Sequence, residues 1–470
     1  MINNLRDGRL IVVANAEPYA HEDEEGQIVR VPVPGGLTTA VSPLLKDGDI
    51  WIGWGRGQAD FEVTNGRNMI VIWDKGYYLK RLKLSAKEKE GFYLGFSNRC
   101  LWPIFHSFTE KAHFSREFWE IYKKVNRKYV KAVKEELREG DYVWVHDYQL
   151  MLVPEDLRRL SERENIKIAF FLHIPWPSWE CFRKIPWRKE LMEGVLGSEV
   201  IGFHIKRYVT NFLECAEELG YEVDKKRRFV LSGQRKIFTL TAPIGIDNDF
   251  FHFYRNRHKV KKLRQDIGVE NMVISVDRLD YTKGIKERLD AFEHFLAGNP
   301  EFLQKVVLIQ RLAPSRETIL EYEQIKREID RKISEINGKY QTPEWMPIRH
   351  FYESVSQEEI ISYYQPAKVS LVTPLIDGMN LTAKEYIACQ DPEDPGVTVL
   401  SEAAGAAEQL KDALLVNPYD IESVAQALKE ALTMPLEERK ERHKKLLHNV
   451  RKENTRWWGE QFLKKWLSLG

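Results

Sequence analysis

Short runs of β-branched and aromatic residues alternate with amphipathic helical patterns along almost the whole chain, and that rhythm admits few folds. Strand-like runs occur at 10–14, 50–54, 69–73, 142–146, 168–173 and 200–203, and again at 272–276, 306–310, 369–373, 397–400 and 414–416. Between them, apolar residues return at three- and four-residue steps, as at 116–137, 206–219, 285–296, 318–337, 356–364, 381–389 and 421–431. That is the period of a helix burying one face. Strand–helix alternation implies parallel sheets covered by helices on both sides. So many strands overfill one compact sheet, and 470 residues exceed one ordinary core. The charged stretch 224–236 breaks the rhythm before a fresh strand at Phe238. The expected fold is therefore α/β, with two doubly wound Rossmann-like domains facing a central cleft. Their expected bounds are 1–242 and 243–452, followed by a Trp- and Leu-rich amphipathic helix in 453–470. Ligands of such sheets sit beyond the carboxyl ends of the strands, and a cleft between two domains is the natural active site.

Composition narrows the function. Lys and Arg number 71 against 70 Asp and Glu, with no basic stripe, so nucleic acid is a poor default partner. Any phosphate must be held by a few placed cations. Cys100, Cys181, Cys215 and Cys389 lie far apart and form no C-x-x-C pair, and paired His spacing is missing too. A metal site or a disulfide framework is not expected, and a reducing compartment fits better. The start MINNLRDGRL carries charges where a signal peptide needs an apolar run, and the run 168–174 is too short to span a membrane. A cytoplasmic protein without membrane partners is expected.

Several segments place polar residues where doubly wound sheets keep their sites. VDRLDYTKG, from Val276 to Gly284, follows a strand and opens a helix. Arg278 and Lys283 lie five apart around the turn, so both cations can face one point with helix amides behind them. The pattern suits a diphosphate, which needs charge and directional donors together. A solvated, salt-bridged turn fits the composition equally. TPLIDGMNLTAKE, from Thr373 to Glu385, repeats strand, Gly-containing loop and helix. The amides of Gly378, Met379 and Asn380 can meet a ligand there, because Gly378 lets the backbone come close. Asp377 sits in the loop, and Glu385 one to two turns into the helix suits a pair of vicinal hydroxyls, as on a ribose. The competing reading pairs Glu385 with a neighbouring surface cation such as Lys384.

His146-Asp147 and His173 fall at strand ends, as catalytic groups or as satisfied structural residues. Gly35-Gly36 precedes a helical stretch and is either a phosphate cradle or a turn. Trp54, Tyr93 and Trp102 flank polar loops; their faces suit sugar rings, although most aromatics are core.

Taken together the segments resemble the trehalose-6-phosphate synthase family, retaining enzymes of the glycosyltransferase-B fold. The matching blocks include GGLTTAVSPLL, YLGFSNRCLWPIFH, VWVHDYQLMLVPEDLR, FFLHIPWPSWECFRKIPWR, VDRLDYTKGIKERL and LVTPLIDGMNLTAKEYIACQ, in order over nearly the whole chain. The resemblance implies that Arg278 and Lys283 hold the donor diphosphate and Glu385 the nucleotide ribose. Asp377, with the amides of Gly378, Met379, Asn380 and Leu381, would hold the transferred glucose together with His173. Gly36 would contact donor phosphate, and Asp147 would sit at the reacting centre. Trp54, Tyr93, Trp102 and Arg316 would bind the acceptor, and the C-terminal helix would cross back to the first domain. The implied reaction moves glucose from a nucleotide diphosphate such as UDP-glucose to glucose 6-phosphate. It needs no metal or cofactor and forms no covalent sugar–enzyme intermediate.

One stretch departs from the family pattern. Where relatives carry Ser-Asn-Arg after the first strand, this chain reads Ala14-Asn15-Ala16, then Glu17-Pro18-Tyr19. Ala16 offers no cation, and Glu17 would repel a phosphate if it faced one. Arg56 and Arg99 are the substitutes in reach. The sequence Glu-Pro-Tyr also resembles glucosylglycerol-phosphate synthase, whose acceptor is glycerol 3-phosphate. A pseudo-glycosyltransferase and a non-catalytic sugar-phosphate sensor are the further alternatives. The donor base and a homo-oligomeric state stay open.

Overall fold

The computed structural model describes residues 6–33, 35–160, 166–253, 257–316 and 318–469. The chain divides into two compact units, one reaching to Ile244 and taking up the chain again from Thr455, the other spanning Gly245–Asn454.

In the first unit a ten-stranded sheet runs, in spatial order, Glu222–Asp224, Phe229–Ser232, Arg235–Thr241, Val200–Phe203, Lys167–Phe171, Tyr142–His146, Leu10–Val13, Ile50–Trp54, Tyr77–Leu82 and Met69–Ile72. The central strands are parallel and fully buried, which is why they read as continuous apolar runs. Both margins are antiparallel: Met69–Ile72 pairs with Tyr77–Leu82, and the charged interruption expected at 224–236 folds into a hairpin. Leu10–Val13 lies between Ile50–Trp54, which follows it in sequence, and Tyr142–His146, which begins the other half of the sheet. Strand order reverses there, so the carboxyl ends of these strands form the switch point where such sheets bind ligands.

The second unit holds a six-stranded, wholly parallel sheet in the order Ile348–Tyr352, Val306–Ala313, Asn271–Arg278, Val369–Val372, Val397–Ser401 and Leu414–Val416. Numbered along the chain this is 3-2-1-4-5-6, the dinucleotide-fold order. Its switch point lies between Asn271–Arg278 and Val369–Val372, so Arg278 and the loop after Val372 emerge side by side.

The helix Thr455–Leu467 belongs to the first unit. Phe462 stacks on Trp144 with ring centroids 4.7 Å apart, Trp458 lies 5.4 Å from the same ring, and Trp466 donates from Nε1 to Glu199 at 2.9 Å. A β-carbon on Gly202 would run into Phe171 and Phe462, so the glycine is what lets this aromatic layer reach the sheet. No helix among the described residues is long and apolar enough to cross a membrane.

Candidate active site

The second unit builds its switch point from paired charges. Asp280 caps the turn Tyr281–Lys283, accepting from the Thr282 amide at 3.0 Å, and Gly284 follows in the left-handed region at φ 62°. A side chain at Gly284 would collide with the Thr373 carbonyl, so the two loops can touch only with glycine here. Their contact brings Lys283 to Asp377, Nζ to Oδ2 at 2.6 Å. Asn380 donates to the same oxygen at 3.2 Å, while its own carbonyl caps Leu381–Cys389 by accepting from the Ala383 amide at 3.2 Å. The cap places Gly378, Met379 and Asn380, all buried, at the helix N-terminus, with Leu381 half-buried as its first residue. Arg278 ends its strand exposed. Glu385 stands half-buried on the helix, where desolvation raises its carboxyl to about 7.

Sequence reasoning missed the residue that ties this half together. Arg288 is fully buried; it donates to Thr373 Oγ1 and to the Lys283 carbonyl, both at 3.0 Å, and pairs with Asp277 at 2.7 Å and with Ser275. It lies five residues past Lys283, in the first turn of the helix Ile285–Gly298, a spacing that marks it only once the loops are seen to meet. Arg316, expected at the acceptor, is buried here: it pairs with Asp280 at 2.9 Å and with the Tyr322 hydroxyl. An acceptor phosphate would have to share or displace those partners.

The first unit is built from neutral and aromatic groups. Asp147 follows its strand at φ 75° and ψ 168°, a region that only glycine visits freely and that costs about 1–3 kcal/mol. Its amide donates to the Phe171 carbonyl at 2.8 Å, and its Oδ1 accepts from the His173 amide at 3.3 Å. Those bonds lock the ends of two adjacent strands together. His173, half-buried, meets His146 at 3.1 Å, Nε2 to Nδ1, and the ring of His204 lies 5.3 Å away. Desolvation, with the two neighbouring imidazoles, holds His173 well below its ordinary pKa. The sequence places His146 and His173 at strand ends without joining them, and only the position of His204 just after the strand Val200–Phe203 hints that a third imidazole belongs here.

Tyr93 and Trp102 are presented by a π-type helix, Lys89–Leu101, and the turn after it. Side chains at Gly91 and Gly95 would strike Ile121 and Phe118, so these glycines let the wide helix lie against Arg116–Glu136. Trp54 meets Tyr93 edge to face at 5.7 Å, and the exposed Arg56 lies over both rings, 4.6 and 5.2 Å from their centroids. Trp102 packs on His106 and Tyr148 instead. Gly36 is exposed as the first residue of the helix Gly36–Val41. Glu17 does not face a ligand: it is buried against Arg81 at 2.8 Å, and desolvation with Asp60 alongside raises its carboxyl to about 8.

Two doubly wound units, each with its polar groups gathered at its own switch point, define a glycosyltransferase of the B-fold class, and solved structures agree. The synthase from Burkholderia xenovorans in complex with glucose-6-phosphate superposes with a TM-score of 0.89 at 32% identity, over 98% of this chain and all of that one. The E. coli protein bound with UDP-2-fluoro glucose gives 0.88 at 32% identity, covering 98% and 99%. Residues 8–467 match glycosyltransferase family 20, and the chain belongs to that family. It is 39% identical to the bifunctional trehalose-6-phosphate synthase/phosphatase of Thermoproteus tenax over 97% of this chain, and spans 63% of that protein's length. It is 37% identical to the UDP-forming alpha,alpha-trehalose-phosphate synthase of Candida albicans, with 97% of each covered.

Proposed function

We propose that this protein transfers glucose from UDP-glucose to glucose 6-phosphate, forming trehalose 6-phosphate with the donor's α configuration retained. The observation that carries the reading is the second unit's switch point, which sets Arg278, Lys283, Asp377 and Glu385 around one turn-and-helix frame. In this reading Arg278 and Lys283 neutralise the leaving diphosphate. Lys283 passes from Asp377 to phosphate, and Asp377 then accepts from a sugar hydroxyl beside the amides of Gly378 to Leu381. Glu385 accepts from the ribose hydroxyls. His173 holds the transferred sugar, Asp147 stands at the reacting centre between the two sugars, Gly36 meets donor phosphate, and Trp54, Tyr93, Trp102 and Arg316 receive the acceptor. The acceptor oxygen bonds to the anomeric carbon on the face the diphosphate leaves, and its proton passes to the departing phosphate oxygen. The first unit is thus the acceptor-binding one and the second the nucleotide-sugar one. A cytoplasmic location goes with this reading, in accord with four free cysteines.

Ala16 favours a second reading, transfer to glycerol 3-phosphate, because it supplies no cation. The test crosses UDP-, GDP- and ADP-glucose with glucose 6-phosphate and glycerol 3-phosphate and identifies the product, with and without EDTA. Trehalose 6-phosphate from the UDP-glucose pair, unaffected by chelation, is expected. Turnover with glycerol 3-phosphate alone moves the assignment to the second reading, and donor binding without turnover makes the protein a sensor.

A further inference from the structure

Two histidines from adjacent strand ends share one hydrogen bond in the first unit, and its direction decides what His173 can offer a ligand. His146 closes Tyr142–His146 and is fully buried, with its ring 4.5 Å from that of Trp144. Its Nδ1 lies 3.1 Å from His173 Nε2, so a single proton occupies the space between them. His146 Nε2 is buried without a partner. His173 Nδ1 has no hydrogen-bond partner among the described residues, and the residue is only half-buried.

Both rings are neutral near pH 7. Burial holds His146 down to about 3, and His173 is lowered by burial and by the two imidazoles beside it. Each therefore carries one proton, on one of its two nitrogens. If His173 donated from Nε2, the proton of His146 would be forced onto its own Nε2, an orphan N–H in an apolar, fully buried place. If His146 donates from Nδ1, the orphan is only a lone pair. Buried N–H groups without acceptors are the rarer and costlier case. The second arrangement leaves the His173 proton on Nδ1, the nitrogen that no protein group uses.

We propose that His146 is a positioning residue that fixes His173 as its Nδ1–H tautomer, so that His173 presents a hydrogen-bond donor to a ligand hydroxyl. The ligand's identity as the transferred sugar rests on the function proposed above; the tautomer does not. The ring is also held in direction. Phe171 lies 4.7 Å from it, and its backbone amide is bound to Asp147. A donor fixed in tautomer and angle recognises an acceptor lone pair, which a sugar hydroxyl supplies.

The test is nitrogen NMR of the 15N-histidine-labelled full chain without substrates, beside His146→Phe and His146→Asn. Phe keeps a ring but removes the donor. Asn places an amide N–H where Nδ1–H stood. Expected are an Nδ1–H His173 in the wild type and in His146→Asn, and a shift toward Nε2–H in His146→Phe. In turnover, His146→Phe should lose about five- to tenfold in kcat, the weight of one neutral hydrogen bond, with Asn restoring most of it. Placed in a His173→Ala background, His146→Phe should cost nothing further. A wild-type His173 protonated on Nε2 overturns the proposal, and so does an equal cost of His146→Phe in both backgrounds. Should the Phe variant not fold, the wild-type tautomer alone decides. A correct tautomer in a protein that transfers no glucose would sink the functional reading and leave this one standing.

Discussion

Both units reverse their strand order beside the first strand of the sheet, and they carry opposite chemistry at the reversal. In the second, the switch point is lined by ions already paired, Lys283 with Asp377 and Arg316 with Asp280, over the buried Arg288–Asp277 pair. In the first, it holds neutral imidazoles, a carboxylate on a strained backbone and a cation laid on aromatic rings. A diphosphate and a neutral sugar make different demands. The first needs fixed positive charge whose repulsion in the empty state is relieved by carboxylates. The second needs directional donors and acceptors that do not titrate. The contrast teaches that this fold supplies a place for a ligand, while the loops after the strands decide which charge it can carry.

The largest effect should come from emptying the charged side. Arg278→Ala or Lys283→Ala removes a cation from a desolvated diphosphate, and truncations of that kind cost roughly 2–5 kcal/mol. The loss should appear in donor kcat/KM with every acceptor tried, since all share the donor. Arg288→Ala should cost a similar amount in folding stability, about 3–5 kcal/mol, because it strands Asp277 in the interior. Normal turnover by Arg278→Ala would end the assignment of this turn to the diphosphate.

On the neutral side the corresponding lever is backbone strain. Asp147 pays its conformational cost in a region where glycine pays little. Both Asp147→Ala and Asp147→Gly should lose activity, because both remove the carboxylate. Only the alanine keeps the strain, so urea unfolding should find the glycine variant more stable by roughly 1–3 kcal/mol. Equal stabilities, or a more stable alanine variant, would mean that the strain is not real in solution.

Much of this was legible beforehand, for identifiable reasons. Buried parallel strands such as 142–146 read as apolar runs, and the loops after Asn271–Arg278 and Val369–Val372 stood out because Gly284 and Gly378 punctuate them. The missed strand Tyr77–Leu82 carries Lys80 and Arg81, which look exposed in sequence. Lys80 is buried on Glu136, and Arg81 on Asp60 with Glu17 alongside, so polarity misled where the long-range partners Glu136 and Asp60 had already compensated the charge. The strand Ile348–Tyr352 was missed in the same way, with Arg349 and His350 inside it. The helix Leu436–Lys452 buries little beyond His443, Leu446 and Val450, too thin a stripe to stand out. In the site, the first-unit residues were readable singly, but the His146–His173 contact joins two strands by register alone, and no spacing in one strand announces its partner.

A smaller effect, in pH, sets Glu385 against the neutral histidines. Its carboxyl ionises near 7 in the folded protein instead of near 4.5, so the charged form is the disfavoured one. The sign follows: its contribution to stability is present at low pH and is lost as pH rises from about 4.5 through about 7. Donor binding should run the other way, tightening over the same window as the carboxylate gains its full capacity to accept from ribose hydroxyls. Glu385→Gln should flatten both profiles in calorimetric titrations with UDP. A wild-type donor affinity indifferent to pH across that window would count against the ribose role.

The smallest expected change is at Arg56, and it asks whether the first unit is as free of working charge as it looks. Ala16 supplies no cation, and Glu17, turned into Arg81 and protonated near neutral pH, supplies no repulsion. Arg56 pairs with no carboxylate among the described residues and rests on Trp54 and Tyr93, with Lys89 5.5 Å from the Trp54 ring. A guanidinium held on two ring faces loses little freedom when a phosphate binds it, yet it stays exposed, so solvent screens the gain to about 1 kcal/mol. Arg56→Ala should then raise acceptor KM about fivefold, leave donor affinity unchanged, and lose its effect at high salt. Ala16→Arg should lower acceptor KM, since the buried Glu17 leaves an arginine there unopposed. If Arg56→Ala changed donor and acceptor constants together, the cation would be acting on the diphosphate, and the division between a charged unit and a neutral one would have to be redrawn.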